Sequence, residues 1–348
     1  MQLGTPDDPA PGPVRRYLKQ FLWDPRVVEI PRLAWWPILN GIILNTRPRK
    51  SSVKYRAVWM PEGSPLQVHT RRQGVLLRGS LGERQIDVEV VHAMRYGNPS
   101  VAAGLRQLRE RNLTRLLVVP LYPQYAASTT ASAFDEVAAE LATWRNLPEL
   151  RMVRSFHDEP GYIAALASQV RKHWEGHGRG QKLVMSFHGL PHRSLLLGDP
   201  YHCECLATAR LLADQLKLQQ HEWAATFQSR FGAARWLQPY TLPTLLELAA
   251  SGTTRVDVVC PGFVSDCLET LEEISMEARA AFLQAGGTQF NYIDCLNESP
   301  LWISALSDVV QRHLSGWPVA RPAHDVAEQR GDALVAREIR ARERGATA

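Results

Sequence analysis

The stretch Lys182–Pro191, KLVMSFHGLP, indicates the type of fold and raises a question about chemistry. A short apolar run followed by Gly and Pro predicts a buried strand that stops at His188. A strand has no need of a histidine at its end, whereas a reaction could use one. For a histidine considered alone, the alternative is an imidazole that hydrogen-bonds the backbone and has only a structural role.

The same rhythm of short apolar runs and longer helical patterns repeats along the chain. In the first half we predict strands at residues 85–94, 115–122 and 150–156, and helices at 98–112 and 129–144. In the second half we predict strands at 182–187, 223–230, 255–263 and 288–295, and helices at 203–218, 243–252 and 265–287. Strands that alternate with helices of this length predict right-handed crossovers and parallel sheets covered on both faces.

Two such series predict an α/β protein with two doubly wound domains, which also suits a chain of 348 residues. The expected divisions are an N-terminal domain at 1–157, a C-terminal domain at 158–300, a closing helix at 301–316 and a charged tail at 317–348. Ligands of such sheets lie beyond the carboxyl ends of the strands, which is where His188 is expected.

Composition favours a soluble globular protein, with 45% apolar and 22% charged residues and a formal net charge of +5. This charge suits an acidic small molecule or an anionic membrane surface, and no basic run with interleaved aromatic residues favours nucleic acid. No export signal pattern follows Met1, and the longest apolar stretch, Leu33–Leu44, is too short to span a bilayer. Five cysteines without a disulfide-type spacing predict reduced thiols in the cytoplasm.

A second strand-to-helix turn lies at Cys260–Ile274, CPGFVSDCLETLEEI. Asp266 and Glu269 fit a capping-box pattern, so a structural role for Glu269 stays open. However, Glu269, Glu273 and Glu277 recur every four residues on one helical face, where like charges repel. A path for a cation or for protons explains such a face better than a solvated surface does. An imidazole together with a carboxylate suits Fe²⁺ and also suits proton abstraction.

The two turns, SFHGLP and PGFVSDCLETLEEI, closely resemble those of ferrochelatases, the enzymes that insert ferrous iron into a porphyrin. The resemblance covers most of the chain, through the stretches LGTPD, VRRYLKQFL, GSPL, MRYGNPS, PLYPQYAASTT, GDPY and QSRFGAARWLQPYT. It is to the Gram-negative bacterial type and implies two Rossmann-like domains with a porphyrin cleft between them. It also implies that His188 and Glu269 face one another across the porphyrin as metal ligands or proton acceptors.

The resemblance implies further residues in the cleft. They are Ser64, Arg95, Tyr96, Tyr122, Tyr125 and Trp236. A guanidinium at Arg95 could pair a porphyrin propionate, the alternative being a surface arginine at a strand end. The aromatic residues would pack on the ring, or would instead pack in loops and core.

The segment Tyr17–Leu44 corresponds to the apolar lip of the family's cleft. It contains Trp23, Trp35 and Trp36, and basic residues bound it. Apolar surface with flanking bases suits peripheral contact with the inner membrane, while an ordinary helical core is the alternative. One helix can serve both roles with different faces.

Three features depart from the family pattern. Relatives usually carry an apolar strand before LGTPD, and only Met1, Gln2 and Leu3 stand at that place here. Either the natural start lies upstream or the first strand is a stub, and a missing central strand would destabilise the first domain. The tail has no cysteine, so no [2Fe–2S] cluster is expected. Cys267 occupies a position that is His in some relatives. Its thiol could contact the metal route, the alternative being that it is only a half-buried small residue.

The sequence therefore predicts a cytoplasmic enzyme, peripheral to the membrane, that inserts Fe²⁺ into protoporphyrin IX without a further cofactor. The expected path for metal or protons passes Glu273 and Glu277. One alternative keeps the chemistry but uses coproporphyrin, with four propionates instead of two. Another is a non-catalytic tetrapyrrole-binding protein on the same fold. A periplasmic two-lobed binding protein fits the domain pattern but lacks the export signal.

Overall fold

The computed structural model describes residues 1–232, 234–320 and 324–346, and strands alternate with helices throughout them. The strands are β1 Gln2–Thr5, β2 Met94–Gly97, β3 Arg115–Val118, β4 Glu149–Met152, β5 Lys182–His188, β6 Trp223–Gln228, β7 Arg255–Val259 and β8 Gln289–Ile293. The helices are α1 Pro11–Leu22, α2 Arg32–Pro37, α3 Leu44–Val58, α4 Pro65–Glu83, α5 Val101–Arg109, α6 Ser132–Leu141, α7 Pro160–His177, α8 His192–Leu196, α9 Tyr201–Gln215, α10 Thr241–Ala250, α11 Arg279–Gln284, α12 Pro300–His313 and α13 His324–Glu343. Short π-helical segments occupy Ile38–Ile43, Ala127–Ala131 and Glu269–Ala278, and a 3₁₀ turn occupies Gln220–Glu222.

The second half of the chain forms a four-stranded parallel sheet in the order β6–β5–β7–β8. Alternate residues of β5 enter different cores, because successive side chains of a strand point to opposite faces. Met185 and Phe187 join the cluster built with α7, α9 and α12, whereas Val184 joins the cluster built with α10 and α11. The sheet is therefore covered on both faces, and the prediction of a doubly wound α/β fold is confirmed.

The sheet of the first half consists of two parallel pairs, β1–β2 and β3–β4. Met1 connects the pairs, because its amino group donates to Val119 O at 2.7 Å and its carbonyl accepts from Leu121 N at 2.8 Å. Burial lowers the pKa of this amino group to about 5. The first strand is short, as expected, and the residue before it makes these two hydrogen bonds to the segment after β3.

The strand predicted at 85–94 is wrong over most of its length, because only Met94 belongs to β2. Residues 87–93 instead line one side of a cavity of about 420 Å³, with Leu105 and Leu117 among the apolar side chains on its other sides. A strand is held by ladder hydrogen bonds to its neighbours, and this segment borders the cavity instead. Its alternating pattern reflects side chains that line the cavity, and isolated main-chain hydrogen bonds, from Asp87 N to Val319 O and from Gln2 N to Ala93 O, hold its two ends.

The predicted lip, Tyr17–Leu44, lies within the helices α1–α3 (residues 11–58, called the lip helices below), which have one buried face and one exposed face. Trp35 is 4% exposed and packs with Tyr17 and Tyr55 in a local core. Its neighbour Trp36 is 59% exposed, and Leu33 is 94% exposed. Within the three described ranges, which omit 233, 321–323 and 347–348, no helix is long and apolar enough to cross a membrane.

The largest apolar cluster draws on both halves of the chain. Leu81 of α4 belongs to it, together with Phe156, Tyr162 and Trp302. The helix predicted at 301–316 is α12, which packs on both α4 and α7. The predicted domain boundary at 157/158 falls between β4 and α7, and this shared core lies across it.

The charged tail predicted at 317–348 needs correction at its beginning. Trp317 is buried, and its indole donates to Glu149 at 2.7 Å, while Val319 O accepts from Asp87 N at 2.8 Å. These residues are therefore part of the folded core. The remainder contains the helix α13, and residues 321–323 and 347–348 lie outside the described part.

The contact of α7 with α12 generates a stability prediction. A Cβ at Gly161 would lie 2.9 Å from the Cβ of Ala305, whereas a Cβ at Gly176 of the same helix would meet nothing within 4 Å. We expect Gly161→Ala to lower the free energy of unfolding by about 1–3 kcal/mol through overpacking. Gly176→Ala should raise it by up to about 1 kcal/mol, because alanine favours helix. Urea denaturation of both variants provides the check, and equal effects would contradict this packing.

Candidate functional site

The two principal candidates lie at the carboxyl ends of neighbouring parallel strands. His188 is the last residue of β5, and its register partner on β6 is Gln228. Glu269 is the first residue of the π-helical segment that follows β7, and β7 pairs with the other edge of β5. The amide of Gln228 donates to Glu269 O at 2.8 Å. One residue therefore connects the strand end that carries His188 to the segment that carries Glu269.

The orientation of the Gln228 amide is fixed by a second hydrogen bond. Ser186 Oγ donates to Gln228 Oε1 at 2.7 Å, which leaves the amide nitrogen to face Glu269. Both Ser186 and Gln228 are buried. Buried amides are costly unless both ends are paired, so this arrangement is rigid. Sequence reasoning missed Gln228, although its position at the end of a strand was a usable signal.

The tautomer of His188 follows from its own hydrogen bond. Its Nδ1 lies 2.7 Å from the carbonyl oxygen of Gly189, which can only accept. The neutral ring therefore carries its proton on Nδ1 and presents the lone pair of Nε2. That lone pair is the group that a divalent metal or an acidic N–H would meet.

The helix after β7 differs from the regular helix expected there. Its first ten residues are π-helical, so hydrogen bonds close over five residues instead of four. Glu273 accepts from the backbone and the hydroxyl of Ser229, at 2.6 and 2.5 Å. Glu277 pairs with Lys54 at 2.8 Å. The three predicted carboxylates thus have separate surroundings, two of them with partners inside the protein.

Lys54 also pairs with Glu272, at 2.8 Å, and sequence reasoning identified neither residue. Burial raises the pKa of Glu272 above its ordinary value, against the opposing effect of the Lys54 ammonium. A buried acidic residue beside Glu273 is thus part of the same region.

The capping-box alternative for Glu269 is wrong. In a capping box the Glu269 carboxylate would accept from Asp266 N, but that N–H donates to Asn297 Oδ1 at 2.9 Å. Asp266 instead accepts from Thr270 Oγ1 at 3.0 Å, Tyr292 OH at 2.5 Å and Asn297 Nδ2 at 2.6 Å. The carboxylate of Asp266 therefore fixes the loop before the π-helical segment, and that of Glu269 is not needed as a cap.

Arg95 and Tyr96 belong to an internal polar network at the end of β2. The guanidinium of Arg95 pairs with Asp24 at 2.6 Å and Glu136 at 2.8 Å, and donates to Ser132 Oγ at 2.7 Å. Tyr96 OH donates to Asp24 at 2.8 Å. Burial alone would raise the pKa of Asp24, but hydrogen bonds, the strongest from Ser132, and the charge of Arg95 bring it below its ordinary value. The network ties the lip to the first sheet.

The other residues expected in the cleft differ in their burial and in their hydrogen-bond partners. Ser64, before α4, is buried and accepts from Thr5 Oγ1 at 2.7 Å. Tyr125 is half-buried, with the guanidinium of Arg154 over its ring at 4.6 Å. Tyr122 and Trp236 are buried, and neither the Tyr122 hydroxyl nor the Trp236 indole N–H has a hydrogen-bond partner among the described residues.

Contacts of charged side chains join the lip helices and the segment that follows α1 to the carboxyl end of the second sheet, and Leu268 packs against the apolar cluster of these helices. Lys54 reaches the π-helical segment, as described above. Arg193 of α8 pairs with Glu29 at 2.6 Å. Arg47 lies over the ring of Phe231 at 4.6 Å. His188 and Glu269 thus lie in the half of the molecule that faces the lip.

The donors offered to a metal are few. Across 1–232, 234–320 and 324–346, no group of three or more His, Cys, Asp or Glu side chains is assembled to hold an ion. Cys205, Cys260, Cys267 and Cys295 are buried free thiols, and Cys203 is an exposed one. Burial raises the pKa of the Cys267 thiol, so it is not activated at its helix start. A histidine and a carboxylate suit transient binding of a borderline divalent ion.

Two parallel α/β units of this kind have the fold of the chelatases. The structure titled SirB from Bacillus subtilis with Fe3+ matches with a TM-score of 0.53 and 16% identity, over 75% of this chain and 96% of that one.

The chain belongs to the ferrochelatase family, whose family model, described as Ferrochelatase, matches residues 1–314. Proteins named ferrochelatase from Polaromonas sp. and Aromatoleum aromaticum are 60% and 62% identical, over 92% and 91% of this chain and 87% of each relative. That of Methylibium petroleiphilum is 58% identical over 100% of this chain and 94% of its own length. The protein is therefore a lyase that inserts iron into a porphyrin.

The residue after His188 generates a prediction for activity. A Cβ at Gly189 would lie 2.6 Å from Gln228 O and 3.1 Å from the Trp236 ring, so the ends of β5 and β6 would have to separate. We expect Gly189→Ala to lower kcat about tenfold or more, because small displacements of reacting groups are costly.

Gly262→Ala is the matched control for Gly189→Ala. Its added methyl would meet Phe187 at 3.4 Å, an ordinary contact. Steady-state iron insertion by both variants, with circular dichroism to verify folding, tests the difference. Equal activities would show that the strand end tolerates displacement.

Proposed function

We propose that the protein inserts Fe²⁺ into protoporphyrin IX to form protohaem, with His188 and Glu269 as the residues that meet the metal and the pyrrole protons. The observation that carries this proposal is the hydrogen bond from Gln228 to Glu269 O, since Gln228 is also the strand partner of His188. It supports a common site for an imidazole and a carboxylate from distant parts of the chain.

The reaction needs three things from the protein. A porphyrin must be bent so that its nitrogens become accessible, two N–H protons must leave, and a divalent ion must arrive. The Nε2 lone pair of His188 can accept a proton, and it is also a ligand for Fe²⁺. The Glu269 carboxylate serves as the second group, whichever of the two tasks His188 performs.

The path of metal or protons to Glu269 is proposed along Glu272, Glu273 and Glu277. Glu273 lies next to the site, where it holds Ser229. Lys54 pairs with both the buried Glu272 and the exposed Glu277. A cation that enters along this face would have to displace the Lys54 ammonium.

Substrate contacts are proposed at the residues that the structure leaves with free polar groups. The Tyr122 hydroxyl and the Trp236 indole N–H are buried and without partners among the described residues, so each can bond a ligand without loss. Tyr125 can pack against the ring. Arg95 and Tyr96 are already committed to Asp24, and we propose that they act mainly by fixing the lip, with Ser64 holding the end of β1.

The preference for protoporphyrin rests on the apolar character of the lip. Exposed Leu33 and Trp36 favour a ring with two propionates over coproporphyrin with four. Anaerobic Fe²⁺ insertion with both porphyrins in parallel, followed by absorbance, is the test. A preference for coproporphyrin would keep the chemistry and reject the substrate, and tight binding without insertion by either would favour a tetrapyrrole carrier.

We propose that the protein is cytoplasmic and touches the membrane surface through the lip. The Arg193–Glu29 pair brings α8 to the segment before α2, so exposed Leu196 and Leu197 lie on the side of exposed Leu33. Apolar side chains of this kind with flanking basic residues suit reversible contact with anionic lipid. Such contact would deliver a poorly soluble porphyrin directly to the cleft.

The role of His188 predicts a clear kinetic result. His188→Ala removes the Nε2 lone pair, so kcat should fall by at least about 100-fold. Porphyrin binding, measured by fluorescence quenching, should change little because the aromatic contacts remain. His221→Ala, an exposed histidine of the 3₁₀ turn before β6, is the control and should keep wild-type turnover. Comparable turnover in His188→Ala would reject this mechanism.

The membrane contact predicts a loss of vesicle binding on substitution of the lip. Trp36→Ser should weaken binding to mixed phosphatidylcholine–phosphatidylglycerol vesicles by about tenfold, since burial of one large apolar side chain contributes about 1.5–3 kcal/mol. Leu147→Ser is the matched control, because Leu147 is also 59% exposed but precedes β4, outside the lip. Vesicle flotation measures both variants. Equal binding by the two would remove the lip as the contact surface.

A further inference from the structure

A stripe of buried polar residues on α9 has no part in the proposed reaction. Tyr201, Glu204 and Thr208 stand at positions i, i+3 and i+7 of the helix and are 8%, 7% and 0% exposed. Their helix packs into the largest apolar cluster of the protein. Polar groups buried in such surroundings are costly unless hydrogen-bonded, so their partners show what the stripe does.

The stripe holds the loop of residues 122–127, which carries the proposed porphyrin contacts of the first half. Glu204 Oε2 accepts from Tyr125 N at 2.6 Å. Thr208 Oγ1 accepts from the amide of Gln124 at 2.9 Å. A helix of the second half therefore fixes both the main chain and a buried side chain of this loop.

The beginning of the same helix also holds the end of β5. The Tyr201 hydroxyl donates to the carbonyl oxygen of His188 at 2.9 Å. Asp199 connects the two contacts, because one of its oxygens accepts from Tyr201 N at 3.0 Å and the other from Ala127 N at 2.7 Å. The His188 strand end and the 122–127 loop are thus attached to one rigid element within a few residues of each other.

We infer that Tyr201 is a positioning residue for His188, and that the α9 stripe fixes the distance between His188 and the 122–127 loop. The inference rests on the proposed function, because it takes His188 as the group that meets iron or protons. Gly189 O fixes the Nδ1 end of the imidazole, and Tyr201 fixes the main chain from which the ring extends. Together the two hydrogen bonds fix the direction in which the Nε2 lone pair points.

Tyr201→Phe tests the inference, since it removes one hydroxyl and keeps the ring. It leaves the His188 carbonyl without its donor, and kcat/KM for Fe²⁺ should fall about 3- to 10-fold, as expected for one lost buried hydrogen bond. The KM for porphyrin should stay at the wild-type value, because the loop contacts through Glu204 and Thr208 remain. A hydroxyl with a merely structural role would not separate the two substrates in this way.

Tyr162→Phe is the matched control. Tyr162 is likewise buried, and its hydroxyl also donates to a main-chain carbonyl, that of Pro261 instead of that of His188. It should lose stability but keep kcat/KM for Fe²⁺ within about twofold. Wild-type kinetics of Tyr201→Phe, or an equal loss in Tyr162→Phe, would overturn the inference. If His188→Ala were fully active the proposed function itself would fail, so the two failures are distinguishable.

Discussion

The parallel pairing of β5 with β6 and β7 is the constraint on which the site depends. In a parallel sheet the carboxyl ends of all strands meet at one edge, so residues far apart in the chain arrive there together. The register places His188 beside Gln228, and the Gln228 amide then reaches the segment that Glu269 opens. A shift of one residue would turn these side chains to the opposite face of the sheet.

This dependence explains why much of the fold was predictable from the sequence. β5 is buried on both faces, so its apolar run has the continuous character expected of a central parallel strand. The Gly-Leu-Pro turn after His188 predicted the strand's end, and the structure ends β5 at that residue. The alternation of strands and helices indicated the doubly wound class for the same reason.

The segments that were predicted wrongly are those whose structure depends on contacts with distant parts of the chain, which a local pattern does not show. Residues 85–94 alternate like a strand, yet a pattern cannot show whether a neighbouring edge is present, and this segment lines a cavity instead. Trp317 lies in a stretch with the composition of a tail, but its indole finds Glu149. A single long-range contact determines whether such a residue is buried, and the average composition of the stretch does not reveal that contact.

Within the site, the resemblance located candidates but could not give their partners. Arg95 was expected at a propionate, and the structure gives it Asp24 and Glu136, neither of which carries a sequence signal that links it to Arg95. Lys54 and Glu272 went unrecognised for the same reason, since each resembles an ordinary surface charge. The ion pairs that join the lip to the second sheet are a property of the folded chain alone.

The π-helical segment after β7 has a consequence for how this site can vary. A π-turn contains one residue more than an α-turn, so it behaves as an insertion absorbed within a helix. Loss of one residue there would rotate the preceding side chains by about 100° relative to those that follow. The direction in which Glu269 points thus depends on how many residues the segment contains as well as on which residues they are. Substitution leaves that count unchanged, and only insertions or deletions during evolution can alter it.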